Sequence, residues 1–166
     1  EAARWYSKAT DLGDATAMSN LALLYQLGQG VGKDLAEAVR WSLKAADLGN
    51  TRAMYNLGVL YKQADAVSLD YSESARWFRK AAEHGIGDAM INLSILYFQG
   101  HGVEKDVSVA VRWMRKAARL GYAVAMTNMG VLFEHGHGVC QDLEVAARWY
   151  RVAAKLGDAD AEGLID

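Results

Sequence analysis

Proline is missing altogether from these 166 residues, and cysteine occurs once, as Cys140. Without proline, no helix is stopped by a ring that lacks an N–H donor, so other residues must end the helical segments. A lone cysteine excludes an intrachain disulfide and leaves the redox compartment open. Long apolar runs are also missing. The longest, such as Leu21 to Tyr25, have five residues, far short of the ~20 that span a bilayer, so no membrane insertion is expected. Neither sign of charge dominates: 18 Lys and Arg against 20 Asp and Glu give a net charge of −2. That balance excludes a general nucleic-acid or anionic-membrane binder. An initiator methionine and a charged-then-apolar leader are missing too, so the chain reads as a slice of a longer protein.

What is present is highly ordered. Hydrophobic residues make up 52% and charged residues 23%, enough to bury a core. All five tryptophans, Trp5, Trp41, Trp77, Trp113 and Trp149, stand 36 residues apart. The same step carries Ala17 to Ala53, Ala89, Ala125 and Ala161, and Met18 to Met54, Met90 and Met126. Asn20, Asn56, Asn92 and Asn128 keep step, as do Gly13, Gly49, Gly85, Gly121 and Gly157. The pattern predicts a half repeat over 1–14, full repeats over 15–50, 51–86, 87–122 and 123–158, and the start of another over 159–166.

Each unit reads as two helices. In the first, Ala17, Leu21, Leu24 and Tyr25 fall on one apolar helical face. Gly28-Gln29-Gly30-Val31-Gly32 then favours a turn. Asp34 is placed to cap the second helix, and Glu37 three residues on completes a capping-box pattern, repeated by Asp70 and Glu73. The second helix sets Ala38, Trp41, Ala45 and Leu48 on one face, and Gly49 follows as its terminator. Asp14 and Asp158 are placed to cap first helices. Alanine pairs such as Ala45-Ala46 permit close approach, and the tryptophans are expected to fill the gap between layers, contributing at least ~2–3 kcal/mol each. A single helical pair cannot bury its own apolar face. The fold class is therefore all-α, an α-solenoid of stacked antiparallel helix pairs.

The unit A-M-x-N-L-G-x-L-Y, G-x-G-V-x-x-D, A-x-R-W-x-x-K-A-A-x-x-G resembles the Sel-1-like repeat family of tetratricopeptide-like helical hairpins. In the third unit it runs Ala89-Met90-Ile91-Asn92-Leu93, Tyr97, Gly100-His101-Gly102-Val103, Asp106, Ala110, Arg112-Trp113 and Lys116-Ala117-Ala118. The ordinary tetratricopeptide period is about 34 residues, with proline closing each unit; neither holds here. The second unit departs at Ala64-Asp65-Ala66, where the others have a glycine-rich turn, so a different backbone path is expected there. The cysteine pair of some secreted family members is missing.

The resemblance implies a right-handed superhelix with first helices lining a concave face. It also implies a protein or peptide partner on that face and leans toward a bacterial periplasmic, envelope or secreted setting. Translating the strip beside the core face by 36 residues places Asn20, Asn56, Asn92 and Asn128 there, beside Leu23, Val59, Ile95 and Val131. Asn amides both donate and accept, so such a ladder suits a peptide backbone while the apolar rail takes its side chains. The alternative is that the Asn residues bond a neighbouring helix and fix repeat packing. Positions that vary between units are expected to set specificity: Arg52, Tyr55, Lys62, Ile91, Phe98, Thr127 and Glu134.

Other signals reduce to the repeat. His101, His135, His137 and Cys140 are a conceivable zinc set, but they occupy polar turn positions between glycines. Gly28-x-Gly30-x-Gly32 lacks the strand and the Lys-Ser/Thr of a phosphate loop. Arg4, Arg40, Arg76, Arg112 and Arg148 form a basic row with Lys8, Lys44, Lys80 and Lys116, which i,i+3 pairing with Glu1, Glu37 and Glu73 explains. No cofactor, metal or catalytic constellation is expected. The reading is a non-catalytic scaffold or adaptor. The alternatives are a structural spacer within a larger protein, or a hydrolase of the kind suggested for some cysteine-rich family members. Trp5 and Leu164 are expected to face outward at the two ends, favouring self-association there.

Overall fold

Aspartate or asparagine begins most helices, because a short side-chain oxygen there can accept from backbone N–H groups that the first turn leaves unpaired. Asp14 Oδ1 accepts from the Thr16 and Ala17 amides at 2.7 and 3.1 Å, Asn50 from Ala53 at 3.0 Å, and Asp106 from Val109 at 2.9 Å. In the computed structural model, which describes residues 1–63 and 69–164, every assigned element is helical. The expected irregular turn at Ala64-Asp65-Ala66 lies outside the described residues.

The chain divides into two units, Glu1–Ile86 and Gly87–Asp166. In the first, α1 (Ala2–Asp11) lies against α2 (Ala15–Leu27), which pairs with α3 (Leu35–Asp47). α3 in turn meets α4 (Thr51–Lys62), which pairs with α5 (Tyr71–Glu83). In the second unit α6 (Gly87–Gln99) pairs with α7 (Val107–Arg119), α7 meets α8 (Ala123–His135), and α8 pairs with α9 (Leu143–Lys155). The short α10 (Ala159–Glu162) closes on α9.

The glycines terminate helices where they were expected to. Gly49 has φ +83°, its N–H donates to Ala46 O, and the Asn50 N–H reaches back to Ala45 O. These paired bonds satisfy the last carbonyls of α3 in the left-handed closing pattern that only glycine adopts freely.

The capping box is half realised. Asp34 accepts from the Glu37 amide at 3.0 Å, but the Glu37 carboxylate turns to Arg40, 2.6 Å away, and to Trp41 Nε1 at 3.1 Å. The N–H that a capping-box glutamate would bind is already spent: Asp34 donates to Tyr25 O, Asp70 to Tyr61 O, Asp106 to Tyr97 O and Asp142 to Phe133 O. The cap residue thus also ties the second helix back to the aromatic near the end of the first.

The core runs along the inner faces. Ala17, Leu21, Ala38, Ala45, Ala53, Leu57, Ala81, Leu93 and Ala117 are buried. Two expectations need correcting. Leu48 is exposed, because it sits at the helix end and not on the packed face. The tryptophans are not uniform gap fillers: Trp77 is buried at 5% exposure, Trp5 is 67% exposed, and Trp41, Trp113 and Trp149 are half-buried. Each of the first four carries the lysine three positions on over its ring, with Nζ 4.3–4.9 Å from the centroid. The basic row is thereby accounted for in part. The lysines cover indoles, and Arg40 and Arg76 pair with Glu37 and Glu73.

A position that the apolar pattern does not single out proves central. Residues 42, 78, 114 and 150 are Ser, Phe, Met and Tyr, all buried; Phe78 and Tyr150 lie against Gly58 and Gly130, Met114 and Ser94 line one cavity, and the first repeat has Ser42 and Ala22 at these positions. Large meets small: a Cβ on Gly58 would fall 2.5 Å from Phe78 Cδ1, and one on Gly130 would overlap the Tyr150 ring. In the smallest pair the Ser42 hydroxyl is fully buried with no hydrogen-bond partner among the described residues. An unmade buried bond costs ~1–3 kcal/mol, so Ser42→Ala is expected to leave stability unchanged or raise it by about 1 kcal/mol. A urea titration showing a loss above about 1 kcal/mol would contradict this assignment.

Candidate functional site

The first helices carry two kinds of outward residue that meet in the second unit. α6 brings Ile95 and Phe98, α8 brings Asn128 and Val131, all half-buried. Between them lies a cavity of about 270 Å³. Its floor is Ala110 and Met114 of α7, with Ser94 and Leu132 on the side walls. Its mouth carries the exposed side chains of Gln99 and His137. The volume is slightly below the ~300–1,000 Å³ of drug-sized sites, and the lining is mostly apolar, so it suits one large apolar side chain.

The polar groups around it are fixed by short local bonds. Asn92 and Asn128 each donate Nδ2–H to the carbonyl four residues back, Asp88 O at 2.9 Å and Val124 O at 2.8 Å. Both of these bonds stay within one helix. Among the described residues nothing else bonds Asn128, whose Oδ1 stays an acceptor and whose second N–H stays a donor. Ser94 Oγ donates to Ala110 O at 2.8 Å, fixing α6 on α7. Phe98 packs on the His137 ring at 5.7 Å, and His137 stacks on His135 at 5.5 Å. Lys105 Nζ lies 6.0 Å from the Phe98 ring centroid.

Glu134 behaves differently. Its Oε2 accepts from the Tyr150 hydroxyl at 2.5 Å. Burial first, then that bond and the nearby carboxylate charge, push the Tyr150 phenol well above its ordinary range. Glu134 is thus held by its own repeat.

The predicted site residues therefore separate. Asn128, Ile95 and Phe98 come together around the cavity. Ile91 and Thr127, expected on the same surface, are buried at 8% exposure each. Their position faces the seam between successive first helices, where Thr127 Oγ1 donates to Asp158 Oδ2 at 2.7 Å. In the first unit Asn20, Asn56 and Val59 are half-buried and Arg52 and Lys62 exposed, while Tyr55 packs on Phe78 at 5.7 Å. Sequence reasoning missed Met114, Ser94 and Gln99. Met114 and Ser94 were findable from the 36-residue step, which shows methionine where the second and fourth repeats have an aromatic. Among the described residues no group of three or more His, Cys, Asp or Glu side chains is gathered to hold a metal, and no helix is long and apolar enough to cross a membrane.

The Sel1 repeat model matches residues 1–14, 15–50, 51–86, 87–122 and 123–158. The chain is similar to a protective antigen present in uropathogenic Escherichia coli strains displaying an SLR fold. That likeness has 34% identity and a TM-score of 0.91, covering 96% of this chain and 34% of that one. It is also similar to a Sel1 repeat protein from Oxalobacter formigenes, with 38% identity, TM-score 0.87, and coverage of 93% and 63%. An immunity protein from Pseudomonas aeruginosa matches at 28% identity and TM-score 0.63, covering 96% of this chain and 59% of that one. The chain thus spans about a third of the length of the first of these and under two thirds of the second. No curated protein matches the chain. The likenesses establish the fold class as an α-solenoid of helical repeats.

Proposed function

The chain belongs to the Sel1 repeat family, whose members generally serve as protein-interaction scaffolds, and from that premise we propose that it is a non-catalytic module binding a peptide segment of a partner protein. The principal site is the groove between α6 and α8. One observation carries this reading: Ile95, Phe98 and Val131 stay half-buried around an apolar cavity, beside an Asn128 amide with bonding capacity to spare. A peptide backbone is recognised by such amides, and its side chains by the apolar wall.

A random peptide library selected on the intact chain tests this. Ile95→Asp and Val131→Asp, each placing a carboxylate in the groove, are expected to weaken the selected peptides at least ~10-fold, about 1.4 kcal/mol, with far-UV circular dichroism unchanged. Selected peptides indifferent to both substitutions would overturn the groove assignment.

A further inference from the structure

The cavity in the second unit lies where the third repeat lacks a ring that the second and fourth repeats have. In the fourth repeat the corresponding space is taken by Tyr150. Its ring lies against Gly130, and its hydroxyl reaches Glu134, the residue that corresponds to Phe98. In the second repeat Phe78 lies against Gly58 in the same way. In the third repeat the pair is Met114 and Ser94, and both line the open space. Methionine is unbranched and narrow beside a phenyl or phenol ring, so the room beneath Phe98 stays unfilled. The cavity therefore has the wall pattern of a ring site, with Phe98 and Ile95 on one side and Val131 and Leu132 on the other.

The mouth is also specific. Lys105 corresponds to Gln141, whose amide donates to Glu134 O in the fourth repeat at 2.8 Å. In the third repeat the same position places an ammonium 6.0 Å from the centroid of Phe98, which walls the cavity. The His137 ring also packs on Phe98, and the Glu134 carboxylate is held by Tyr150. The apolar cavity is thus bordered by a cation, and it complements a ring with an anion next to it.

We infer that the cavity bounded by Phe98, Met114 and Val131 takes an aromatic side chain from a partner peptide, with an acidic residue flanking that aromatic to meet Lys105. The inference rests on the peptide-binding reading above and specifies its ligand. The partner supplies in trans the ring that the second and fourth repeats supply from their own chain.

The repeats also provide the test. Ser94→Gly with Met114→Phe copies the second repeat's Gly58 and Phe78 into the third, filling the cavity with a ring that needs no hydroxyl partner where Phe98 replaces Glu134. Peptides selected from the random library on the wild-type chain are expected to share an aromatic beside Asp or Glu. Changing that aromatic to Ala is expected to weaken binding at least ~10-fold, and the double variant is expected to do the same while keeping the wild-type helical signal. Lys105→Ala is expected to produce a smaller loss that shrinks as salt is raised. Peptides weakened by Val131→Asp, yet indifferent to their own aromatic or to the double variant, would overturn the aromatic assignment and leave the groove intact. Peptides indifferent to Val131→Asp and Ile95→Asp would overturn both. Should the double variant lose helicity, the aromatic-to-Ala peptides decide the question without any change to the protein.

Discussion

Phe78→Ala is expected to lower the unfolding free energy by about 3–5 kcal/mol, the largest single effect of any substitution considered. Phe78 is fully buried, packs on Tyr55 and lies directly over Gly58, where even a methyl group has no room. Truncation removes the ring's transfer energy and leaves a hole that two helices braced by the Ser74 hydroxyl on Gly58 O cannot easily close. Against a typical total of ~5–15 kcal/mol, that loss is readily measured by urea titration. A sign reversal gives the sharper check. In wild type, Gly58→Ala is expected to destabilise because the new Cβ meets the ring. In the Phe78→Ala background the ring is gone, and the same change should stabilise by up to ~1 kcal/mol through helix propensity. If Gly58→Ala costs the same in both backgrounds, the glycine does not serve the ring.

Gly130→Ala is the second large effect, a net loss of about 2 kcal/mol, because overpacking costs ~1–3 kcal/mol and its propensity gain recovers at most part of that. The added Cβ would displace the Tyr150 ring and break the bond from its hydroxyl to Glu134. This has a spectroscopic signature. The buried, hydrogen-bonded phenol of Tyr150 is held above its ordinary pKa, which is about 10 for a free tyrosine. Its stabilising contribution is therefore complete below pH ~10 and is lost as pH rises above that value toward the folded-state pKa. An alkaline ultraviolet titration should show a tyrosine in the wild type that ionises late, and in Gly130→Ala that late step should move toward the ordinary range. An unchanged titration alongside an unchanged stability would contradict the packing described for this pair.

Much of this was legible before any coordinates. The 36-residue step gave the helix pairs, their terminating glycines and their capping aspartates, because each rests on backbone chemistry confined to a few neighbouring residues. Arg40 and Arg76 were read as paired for the same reason, lying one helical turn from their glutamates. The capping box was misjudged at Glu37, since nothing local reveals that the Asp34 amide is already bonded to Tyr25 O. The placement of Ile91 and Thr127 failed likewise. A strip translated by a fixed step treats every position as a surface, and only packed helices show which position has turned into a seam.

The sequence by itself determined the repeat, the all-helical class and the family, because periodic residues impose the same local geometry wherever they recur. The family-defining positions are also those that say least about a ligand, being alike in every unit. The tertiary structure decided what the variable positions do. It set Phe78 against Gly58 and Tyr150 against Gly130 across the helical hairpin, so that a ring on one helix is matched by a glycine on the other. It left the third repeat with a methionine, a serine and an open cavity between them. Volume is shared between residues 20 apart in the chain, such as Gly58 and Phe78, and no local rule of capping or periodicity carries that information.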